Sequence, residues 1–395
     1  MGEISGVPAA DINNVDGFFT TQGGGSSITA NPIANSGELQ ISGAGVIWSN
    51  PDVGVEFNRG QLFANHGFVK IQASYNQAQF FAIKNDGTLW YWAQSVTNLS
   101  GQFFTVDSQW HQYGVDTDWT DITGGQVSWG AVKGGVLYFL GSGTYRQAGN
   151  GTTSNYGNWV VVENTKTWVR YQMGYRMSIA ITNTGEAWST GYGYEYQTGL
   201  NTTGTIAVWT REKTLASDWV DAAYGYRCGF WHKSNGEVWF SGNNSNGVAG
   251  PQVSGTASQN GPVLAHANTT YVIQKIFNAF YSSSIHLDST GYLRFSGTGN
   301  NRTRPDNSTG NAVNGGLQLT GAGNLWTHYE VGDHSGSTSS PMGIAVKSDG
   351  ECWIGGTGTT TFHQVYGLTP AQTWNKIADN VTIATIARSS RIAHG

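Results

Sequence analysis

The stretch Ala180-Ile-Thr-Asn-Thr-Gly185-Glu-Ala-Trp188 decides the fold, because two short alternating apolar segments meet there at a Thr-Gly turn. Closely similar stretches run over residues 82–90, 231–239 and 345–353, with Asp-Gly or Asn-Gly at the same place. A glycine at this position supplies the positive φ that a tight hairpin turn needs. Each copy is therefore predicted to form a β-hairpin.

The hairpin recurs at a nearly constant interval. Counting two weaker copies, the turn glycines are Gly37, Gly87, Gly135, Gly185, Gly236, Gly291 and Gly350. Upstream of most hairpins lies an aromatic residue with an apolar residue three positions later, as at Trp119, Trp168, Trp219, Trp326 and Trp374. About four strands per fifty residues is the content of one β-propeller blade.

The two chain ends complement each other in this pattern. After Trp374 the chain stops before the expected turn and outgoing strand, and these missing parts are found in residues 35–43. We therefore predict an all-β fold, a seven-bladed β-propeller over residues 31–395, whose last blade is closed by N- and C-terminal strands. Closure would leave no open sheet edge between the first and last blades.

Composition agrees with this fold and excludes several classes of protein. The chain has 56 glycines, 13% aromatic residues and only 11% charged residues, which suits many short strands and turns. Its net charge is −5 and its Lys and Arg residues are scattered, so we expect no nucleic-acid partner. The first residues show neither a basic nor an apolar region typical of a signal peptide, and no stretch approaches the length of a membrane span, so we expect no signal peptide and no membrane insertion.

At these residues the repeat resembles the regulator of chromosome condensation family. The segment Thr88-Leu-Trp-Tyr-Trp92 after Asp86-Gly87 fits that family's blade, and the Gly, Gln and Gly of its following loop are matched at 141, 147 and 149 and again at 191, 197 and 199. The resemblance implies a propeller. It implies no single activity, since the family includes nucleotide-exchange factors, inhibitors and binding platforms.

Residues 1–30 stand outside the repeat and are interpreted as a docking arm. They open with Ile4-Ser-Gly-Val7, followed by Ile12, Val15 and Gly17, and this pattern is similar to the opening of tailed-bacteriophage structural proteins, including fibre and appendage components. That resemblance implies a place in the virion and contact with other virion proteins. The alternative is that the arm packs across the propeller itself. Its apolar residues are Ile4, Val7, Ile12, Val15, Phe18 and Phe19.

No motif in the sequence indicates catalysis. The nine histidines lack metal-ligand spacing, and there is no Gly-x-Ser-x-Gly elbow, phosphate loop or calcium loop. We therefore expect no catalytic residue, no metal and no cofactor. His232 and His286 are interpreted as hydrogen-bonded structural residues. Two carboxylates that converge in space would still permit glycan cleavage.

Aromatic residues in the loops are the candidates for binding a ligand. Aromatic rings and arginine bind sugar faces or protein partners at low entropic cost. Packing between blades is the alternative, and it is favoured for Gly174-Tyr-Arg176, which repeats as Gly225-Tyr-Arg227. The candidate residues are Tyr145, Arg146, Tyr192, Tyr194 and Tyr196.

Three functions are consistent with these features. The first is a non-enzymatic virion structural or adhesion protein (a tail fibre, appendage or decoration component) whose propeller binds a host-surface glycan or another virion protein. The second is a soluble protein-binding or inhibitory propeller that acts on a cellular enzyme. The third is a glycan-cleaving enzyme.

Overall fold

The structure is a computed structural model that describes residues 47–50, 55–58, 68–73, 79–93, 104–105, 109–125, 127–225, 227–245, 247–250, 252–253, 255–267, 272–280, 283–297, 312–318, 326–332, 342–349, 351–356 and 375–378. Every regular element in these ranges is a β-strand, as the sequence predicts. A helix long and apolar enough to cross a membrane is not found in them.

Six antiparallel sheets of four strands each follow a short hairpin along the chain. The hairpin pairs β1 (Ile47–Asn50) with β2 (Val55–Asn58). Sheet 1 contains β3 (Phe68–Ala73), β4 (Gln79–Lys84), β5 (Leu89–Ala93) and β6 (Trp110–Tyr113). Sheet 2 contains β7 (Trp119–Gly124), β8 (Ser128–Lys133), β9 (Val136–Ser142) and β10 (Asn155–Glu163). Sheet 3 contains β11 (Trp168–Met173), β12 (Met177–Thr182), β13 (Ala187–Gly191) and β14 (Ile206–Arg211).

The three later sheets have the same composition. Sheet 4 contains β15 (Trp219–Tyr224), β16 (Cys228–Lys233), β17 (Val238–Gly242) and β18 (Gln259–His266). Sheet 5 contains β19 (Ile273–Phe280), β20 (Ser283–Asp288), β21 (Leu293–Gly297) and β22 (Ala312–Gln318). Sheet 6 contains β23 (Trp326–Gly332), β24 (Met342–Lys347), β25 (Cys352–Gly356) and β26 (Asn375–Ala378).

Each of these sheets is a meander, because every strand pairs with the next one along the chain. The predicted turns connect the second and third strands, and their glycines have positive φ at Gly87, Gly135, Gly185, Gly236 and Gly291. The hairpin prediction is confirmed at these five positions. We call this end of the sheets the turn face. The opposite end, which carries the other two connections of each sheet, is the loop face.

The first strands of successive sheets lie side by side. Contacts join β3 to β7, β7 to β11, β11 to β15, β15 to β19 and β19 to β23. First strands therefore form the inner edges of consecutive sheets, as they do around the axis of a propeller. The architecture is consistent with the predicted β-propeller.

A recurrent hydrogen bond connects consecutive sheets on the turn face at four of the five junctions between the six sheets. A backbone N–H at the start of one sheet donates to the carbonyl oxygen of the turn glycine in the preceding sheet. The bond joins Trp119 to Gly87 at 3.2 Å, Trp168 to Gly135 at 2.8 Å, Trp219 to Gly185 at 3.0 Å and Trp326 to Gly291 at 3.0 Å. All four indole rings are buried. The two strongest signals of the repeat, the turn glycine and the tryptophan, are thus the two partners of this hydrogen bond.

A β-bulge follows the first residue of every first strand. The register shifts between the first and third residues of the strand in all six sheets. Bulges of this kind change the direction in which a side chain points. The residue after the bulge is Lys70, Asp121, Arg170, Asp221, Lys275 or His328 in sheets 1 to 6.

Four of these residues form a continuous series of ion pairs across sheets 1 to 4. Lys70 pairs with Asp121. Arg170 lies 3.5 Å from Asp121 through Nη1 and 2.7 Å from Asp221 through Nε. Asp121 is buried and also accepts the backbone N–H of Tyr171 at 2.7 Å. These contacts satisfy a carboxylate that would otherwise be expensive to bury.

The structure corrects the predicted place of the strand after Trp374. β26 pairs antiparallel with β25, with Asn375 opposite Ile354, so it is the fourth strand of sheet 6 and not the first strand of a further sheet. This pairing covers an edge of β25 whose backbone groups would otherwise need other partners. Residues 35–43 and 379–395 lie outside the described residues, so closure by the two chain ends stays a prediction.

We expect the substitution Gly185→Ala to destabilise the fold. Gly185 has φ +79°, and an added Cβ would lie 2.3 Å from the carbonyl oxygen of Ser217. The left-handed conformation alone disfavours alanine by about 1–2 kcal/mol, and the close contact adds to this. The melting temperature should therefore fall by several degrees.

Gly114→Ala is the matched control for this substitution. Gly114 also has positive φ, +62°, but a Cβ there meets nothing within 4 Å of the described structure. Thermal unfolding followed by circular dichroism compares the two variants. An equal loss of melting temperature in both would show that the close approach at the turn contributes nothing.

The ion pair between Arg170 and Asp221 predicts a specific dependence of stability on pH. Burial raises the pKa of Asp221, but the charge and hydrogen bond of Arg170 outweigh it and hold the pKa below its ordinary value of 3.8. A carboxyl whose pKa is lowered by folding stabilises the fold above its unfolded-state pKa. That contribution is lost as the pH falls through 3.8 and below.

We therefore expect Asp221→Asn to lower the melting temperature at neutral pH and to flatten its decline in acid. Asp116→Asn is the control, because the Asp116 side chain is 48% exposed and its pair with Lys133 is solvated. Melting temperatures measured from pH 7 down to about pH 2 test this expectation. An acid profile of Asp221→Asn identical to that of the unmodified protein would contradict it.

Candidate functional site

Two loops on the loop face share one sequence pattern. Loop A, residues 141–149, follows β9, and loop B, residues 191–199, follows β13 in the next sheet. Just beyond loop A, a backbone bridge joins Asn150 to Val208 of β14. The two loops are therefore neighbours, although they belong to different sheets.

A buried glutamine fixes the shape of each loop. In loop A, Gln147 accepts the backbone N–H of Tyr145 at 2.9 Å and donates to the carbonyl oxygen of Ser142 at 2.6 Å. In loop B, Gln197 accepts the backbone N–H of Glu195 at 2.7 Å. Both glutamines are almost fully buried. The repeated glutamine is thus structural, and it presents Tyr145 and Glu195 at equivalent places.

Each loop also holds one residue in a left-handed conformation. Arg146 has φ 61° and Tyr196 has φ 62°, whereas sheet 4 has Gly247 with φ 66° at the same place. A non-glycine residue is disfavoured there by about 1–2 kcal/mol. The carbonyl oxygens of both residues bond to the next sheet: Arg146 accepts from Thr190 at 3.0 Å and Tyr196 from Ser241 at 2.7 Å. These links hold the strained loops in place.

Three tyrosine rings surround one arginine where loops A and B meet, and a fourth tyrosine packs against one of these rings. Arg176 lies in the connection between β11 and β12. Its Cζ atom is 4.2 Å from the ring centroid of Tyr145, 4.6 Å from that of Tyr175 and 5.4 Å from that of Tyr192. We name Tyr145, Tyr175, Arg176, Tyr192 and Tyr194 the tyrosine–arginine cluster.

The rings of the cluster support one another. Tyr145 and Tyr192 meet edge to face, with centroids 6.0 Å apart, and Tyr194 packs against Tyr192 at 4.5 Å. The backbone N–H of Tyr192 donates to the carbonyl oxygen of Arg176 at 3.0 Å. Tyr194 remains 57% exposed. The cluster is therefore an ordered aromatic surface with one prominent ring.

Of the five residues predicted to bind a ligand, the structure brings together Tyr145, Tyr192 and Tyr194. It places Arg146 and Tyr196 outside the cluster. The Arg146 guanidinium donates to the carbonyl oxygen of the fifth residue after it at 3.1 Å. Tyr196 contributes its backbone to the link with sheet 4. Two predicted side chains therefore have local roles in the structure.

Sequence reasoning misses Tyr175 and Arg176 as members of the site. Their repeat as Gly-Tyr-Arg favours a packing role, and that motif is the available signal. Their contact with Tyr145 crosses from one sheet to the next, which spacing along the chain does not show. The docking arm, residues 1–30, lies outside the described residues, including Ile4, Val7, Ile12, Val15, Phe18 and Phe19.

The copy of Gly-Tyr-Arg in sheet 4 has a different environment. Arg227 forms an ion pair with Glu195 of loop B, with Nη1 and Oε1 3.4 Å apart. The other carboxylate oxygen of Glu195 accepts Nδ2 of Asn243 at 3.2 Å. This arginine therefore has an acidic partner from the preceding sheet.

Two histidines in sheets 4 and 5 are placed as structural residues. His232 is buried and its Nε2 lies 2.8 Å from the carbonyl oxygen of Ile273. Burial lowers the pKa of His286 to about 3, with His266 and His232 adding to the effect. Burial lowers the pKa of His232 as well, although its bond to the carbonyl oxygen of Ile273 raises it, so burial favours a neutral imidazole in both residues. Within the ranges described above, the structure shows no group of three His, Cys, Asp or Glu residues arranged to hold a metal ion.

Solved structures of similar fold show what architecture these sheets form. Human WBSCR16 superposes with a TM-score of 0.63 at 15% identity, over 88% of this chain and 92% of that chain. The fold is similar to that of RCC1-like β-propellers. Prp20p from Saccharomyces cerevisiae, described with its binding to Gsp1p and histones, gives a TM-score of 0.62 at 13% identity over 86% of this chain and 83% of its own.

Yeast RCC1 (Prp20) bound to Kap60 is also similar, with a TM-score of 0.59 at 14% identity over 78% of this chain and 74% of that chain. Identities this low establish a shared fold and no shared function. In sequence, no family model and no curated protein matches the chain.

Proposed function

We propose that this protein is a non-enzymatic adhesion protein whose loop face binds a glycan. The observation that carries the proposal is the exposed ring of Tyr194, which packs against Tyr192, whose ring in turn contacts Tyr145 and Arg176. A sugar ring has an apolar C–H face that packs on an aromatic ring, and hydroxyl groups that need polar partners at its rim. The cluster offers both kinds of contact.

Order in the unbound cluster supports binding. Loop A and loop B are fixed by buried Gln147 and Gln197, so Tyr145 and the residues of loop B are already held in position. A ligand that meets preorganised side chains loses less affinity to the ordering of rotamers. Tyrosine has few rotatable bonds, which reduces that loss further.

The propeller that carries this surface is proposed to have seven blades, closed through both chain ends. The seven turn glycines of the sequence support this count. Six four-stranded sheets and the separate β1–β2 hairpin, which precedes sheet 1 and follows residues 35–43, are compatible with it. In this arrangement the hairpin belongs to the blade that residues 35–43 and 379–395 complete.

The place of the protein is proposed to be the virion of a tailed bacteriophage, as part of a fibre, appendage or decoration. Support for this comes from the resemblance of residues 1–30 to the opening of tailed-phage structural proteins. The arm would dock on another virion protein and leave the propeller to face the host surface. In this arrangement, attachment and glycan binding reside in separate parts of the chain.

A protein ligand at the loop face is the second candidate function. One propeller of similar fold, yeast Prp20, binds proteins: its structure is described with its binding to Gsp1p and histones, and a second structure shows it bound to Kap60. Tyrosine and arginine are also frequent at the energetic centres of protein interfaces. A protein-binding role is therefore the direct competitor of the glycan proposal.

We expect Tyr194→Ala to weaken glycan binding by about three- to tenfold, the effect of one lost aromatic contact. A glycan array selects the ligand, and isothermal titration calorimetry measures its affinity. Tyr292→Ala is the control, because Tyr292 is a half-buried tyrosine next to the turn glycine on the opposite face. Unchanged affinity in Tyr194→Ala would contradict the proposed site.

The same ligand also separates the competing functions. Release of new reducing ends from the bound glycan would identify an enzyme and overturn the non-enzymatic proposal. If no glycan binds, and a virion or host protein binds the unmodified chain but not Tyr194→Ala, the loop face is a protein-binding surface. The first result is decisive against a non-enzymatic role, and the second is decisive against glycan binding at this face.

Deletion of residues 1–30 is expected to prevent incorporation into the phage particle while the propeller still folds and binds glycan. Particles purified from infected cells, followed by mass spectrometry, measure incorporation. Tyr194→Ala serves as the complementary control, since it should be incorporated normally. Normal incorporation of the deletion variant would refute the docking role of the arm.

A further inference from the structure

We propose that the tyrosine–arginine cluster selects an acidic sugar, with Arg176 binding the carboxylate and the tyrosine rings binding the sugar ring. This inference rests on the proposed glycan-binding function and names the class of glycan. It comes from comparing two copies of one motif within the same chain. The copies have the same backbone environment but a different neighbour.

The copy in sheet 4 shows how this fold neutralises the arginine. Arg227, in the connection between β15 and β16, forms an ion pair with Glu195 at 3.4 Å. Glu195 reaches it from loop B of the preceding sheet, and its backbone N–H is held by Gln197 at 2.7 Å. The arginine of Gly-Tyr-Arg thus faces a residue of the loop in the preceding sheet. That residue comes four positions after the first glycine of the loop.

The copy in sheet 3 faces a tyrosine where the copy in sheet 4 faces the glutamate. Tyr145 is the fourth residue after Gly141, as Glu195 is the fourth after Gly191. Its backbone N–H is held by Gln147 in the same way, at 2.9 Å. The two positions are therefore equivalent in three dimensions. The Tyr145 ring lies 4.2 Å from the guanidinium carbon of Arg176.

Among the residues that the structure describes, a tyrosine in place of the glutamate leaves the charge of Arg176 without a carboxylate partner. No ion pair of Arg176 is seen in the portion of the chain that the structure describes. Its Nε atom is buried and makes no hydrogen bond there, and Nη2 reaches only the hydroxyl of Tyr175, at 3.4 Å. Ring faces attract a guanidinium, but they do not use its planar row of N–H donors.

A carboxylate is the group that this arrangement lacks. Arginine binds carboxylates through two parallel charge-assisted hydrogen bonds, which are about twice as strong as neutral ones. Three rings hold the guanidinium in place, so little further order is needed on binding. The exposed ring of Tyr194, which packs against Tyr192 of the same cluster, offers a surface for the sugar that bears the acid. The cluster therefore offers a partner for the carboxylate of an acidic sugar and a partner for its ring.

The net charge of the protein does not explain a preference for anions. The chain has a net charge of −5, so its general field repels anions. Preference for an acidic ligand would have to come from a local contact. Arg176 is the residue of the cluster that can supply it.

Matched pairs of sugars test the inference. Hexagalacturonate and sialyllactose are each compared with their carboxyl-reduced forms, which keep the ring and lose the charge. With the full-length protein in calorimetry, at least one acid form should bind about tenfold or more tightly than its reduced form, as expected for a charge-assisted pair. This preference should decline as sodium chloride is added.

Variants then assign the preference to one residue. Arg176→Gln should abolish the difference between acid and reduced forms, and Arg176→Lys should retain part of it, because lysine keeps the charge but not the paired donors. Arg227→Gln is the matched control, since Arg227 is already paired, and it should keep the full difference. Melting temperatures confirm that each variant is folded.

The outcomes separate this inference from the proposed function. If acid and reduced forms bind equally, and Tyr194→Ala weakens both, the surface binds neutral glycans and the acidic-sugar inference is wrong. If the preference survives in Arg176→Gln, another residue supplies it and the inference is again wrong. If neither form of either sugar binds and the glycan array is also empty, both proposals fail.

Discussion

The hydrogen bond between a turn glycine and the first tryptophan of the next sheet is the contact on which the architecture depends. It fixes the distance and angle between consecutive sheets at the point where the chain passes from one to the other. At each of these contacts the glycine adopts a left-handed turn and the indole of the tryptophan is buried. Because both features recur at fixed positions, they are visible as a repeat in the sequence.

Near this contact, side chains accept hydrogen bonds from the backbone N–H groups at the inner edges of the sheets. Asp121 accepts a backbone N–H of the neighbouring first strand, and Thr123 accepts that of Met173 at 3.1 Å. First strands have no further strand to pair with on this side, so their N–H groups need such partners. Polar residues on the inner strands therefore complete the sheets, while tryptophans and tyrosines fill the spaces between them.

Much of this fold is predictable from the sequence because its signals are local. Turn glycines such as Gly185 and anchors such as Trp219 lie at fixed positions in each repeat. A charged residue follows the bulge in sheets 1 to 5, but its role depends on a register shift that the sequence does not reveal. The predicted place of β26 is wrong, since the residues around Trp374 resemble a first strand and yet pair as a fourth.

The candidate site is predictable only in part, because some of its contacts join residues of different sheets. Tyr145, Tyr192 and Tyr194 are conspicuous as aromatic residues in loops, and the structure brings them together. Arg176 belongs to them through a contact between sheets, and only comparison with Arg227 shows what its environment lacks. Repeats help here, because one copy serves as a reference for another. Differences between equivalent positions then mark where a blade has acquired its own function.

The row of charges on the inner strands also distinguishes otherwise similar sheets from one another. Its signs alternate from Lys70 to Asp121, Arg170 and Asp221. A misfolded chain that skipped one sheet would bring two acids or two bases together at the axis, where repulsion is poorly screened. At this position the charges of adjacent sheets attract each other, whereas those of sheets two places apart would repel. A single position of the repeat therefore favours the correct order of sheets 1 to 4 during folding.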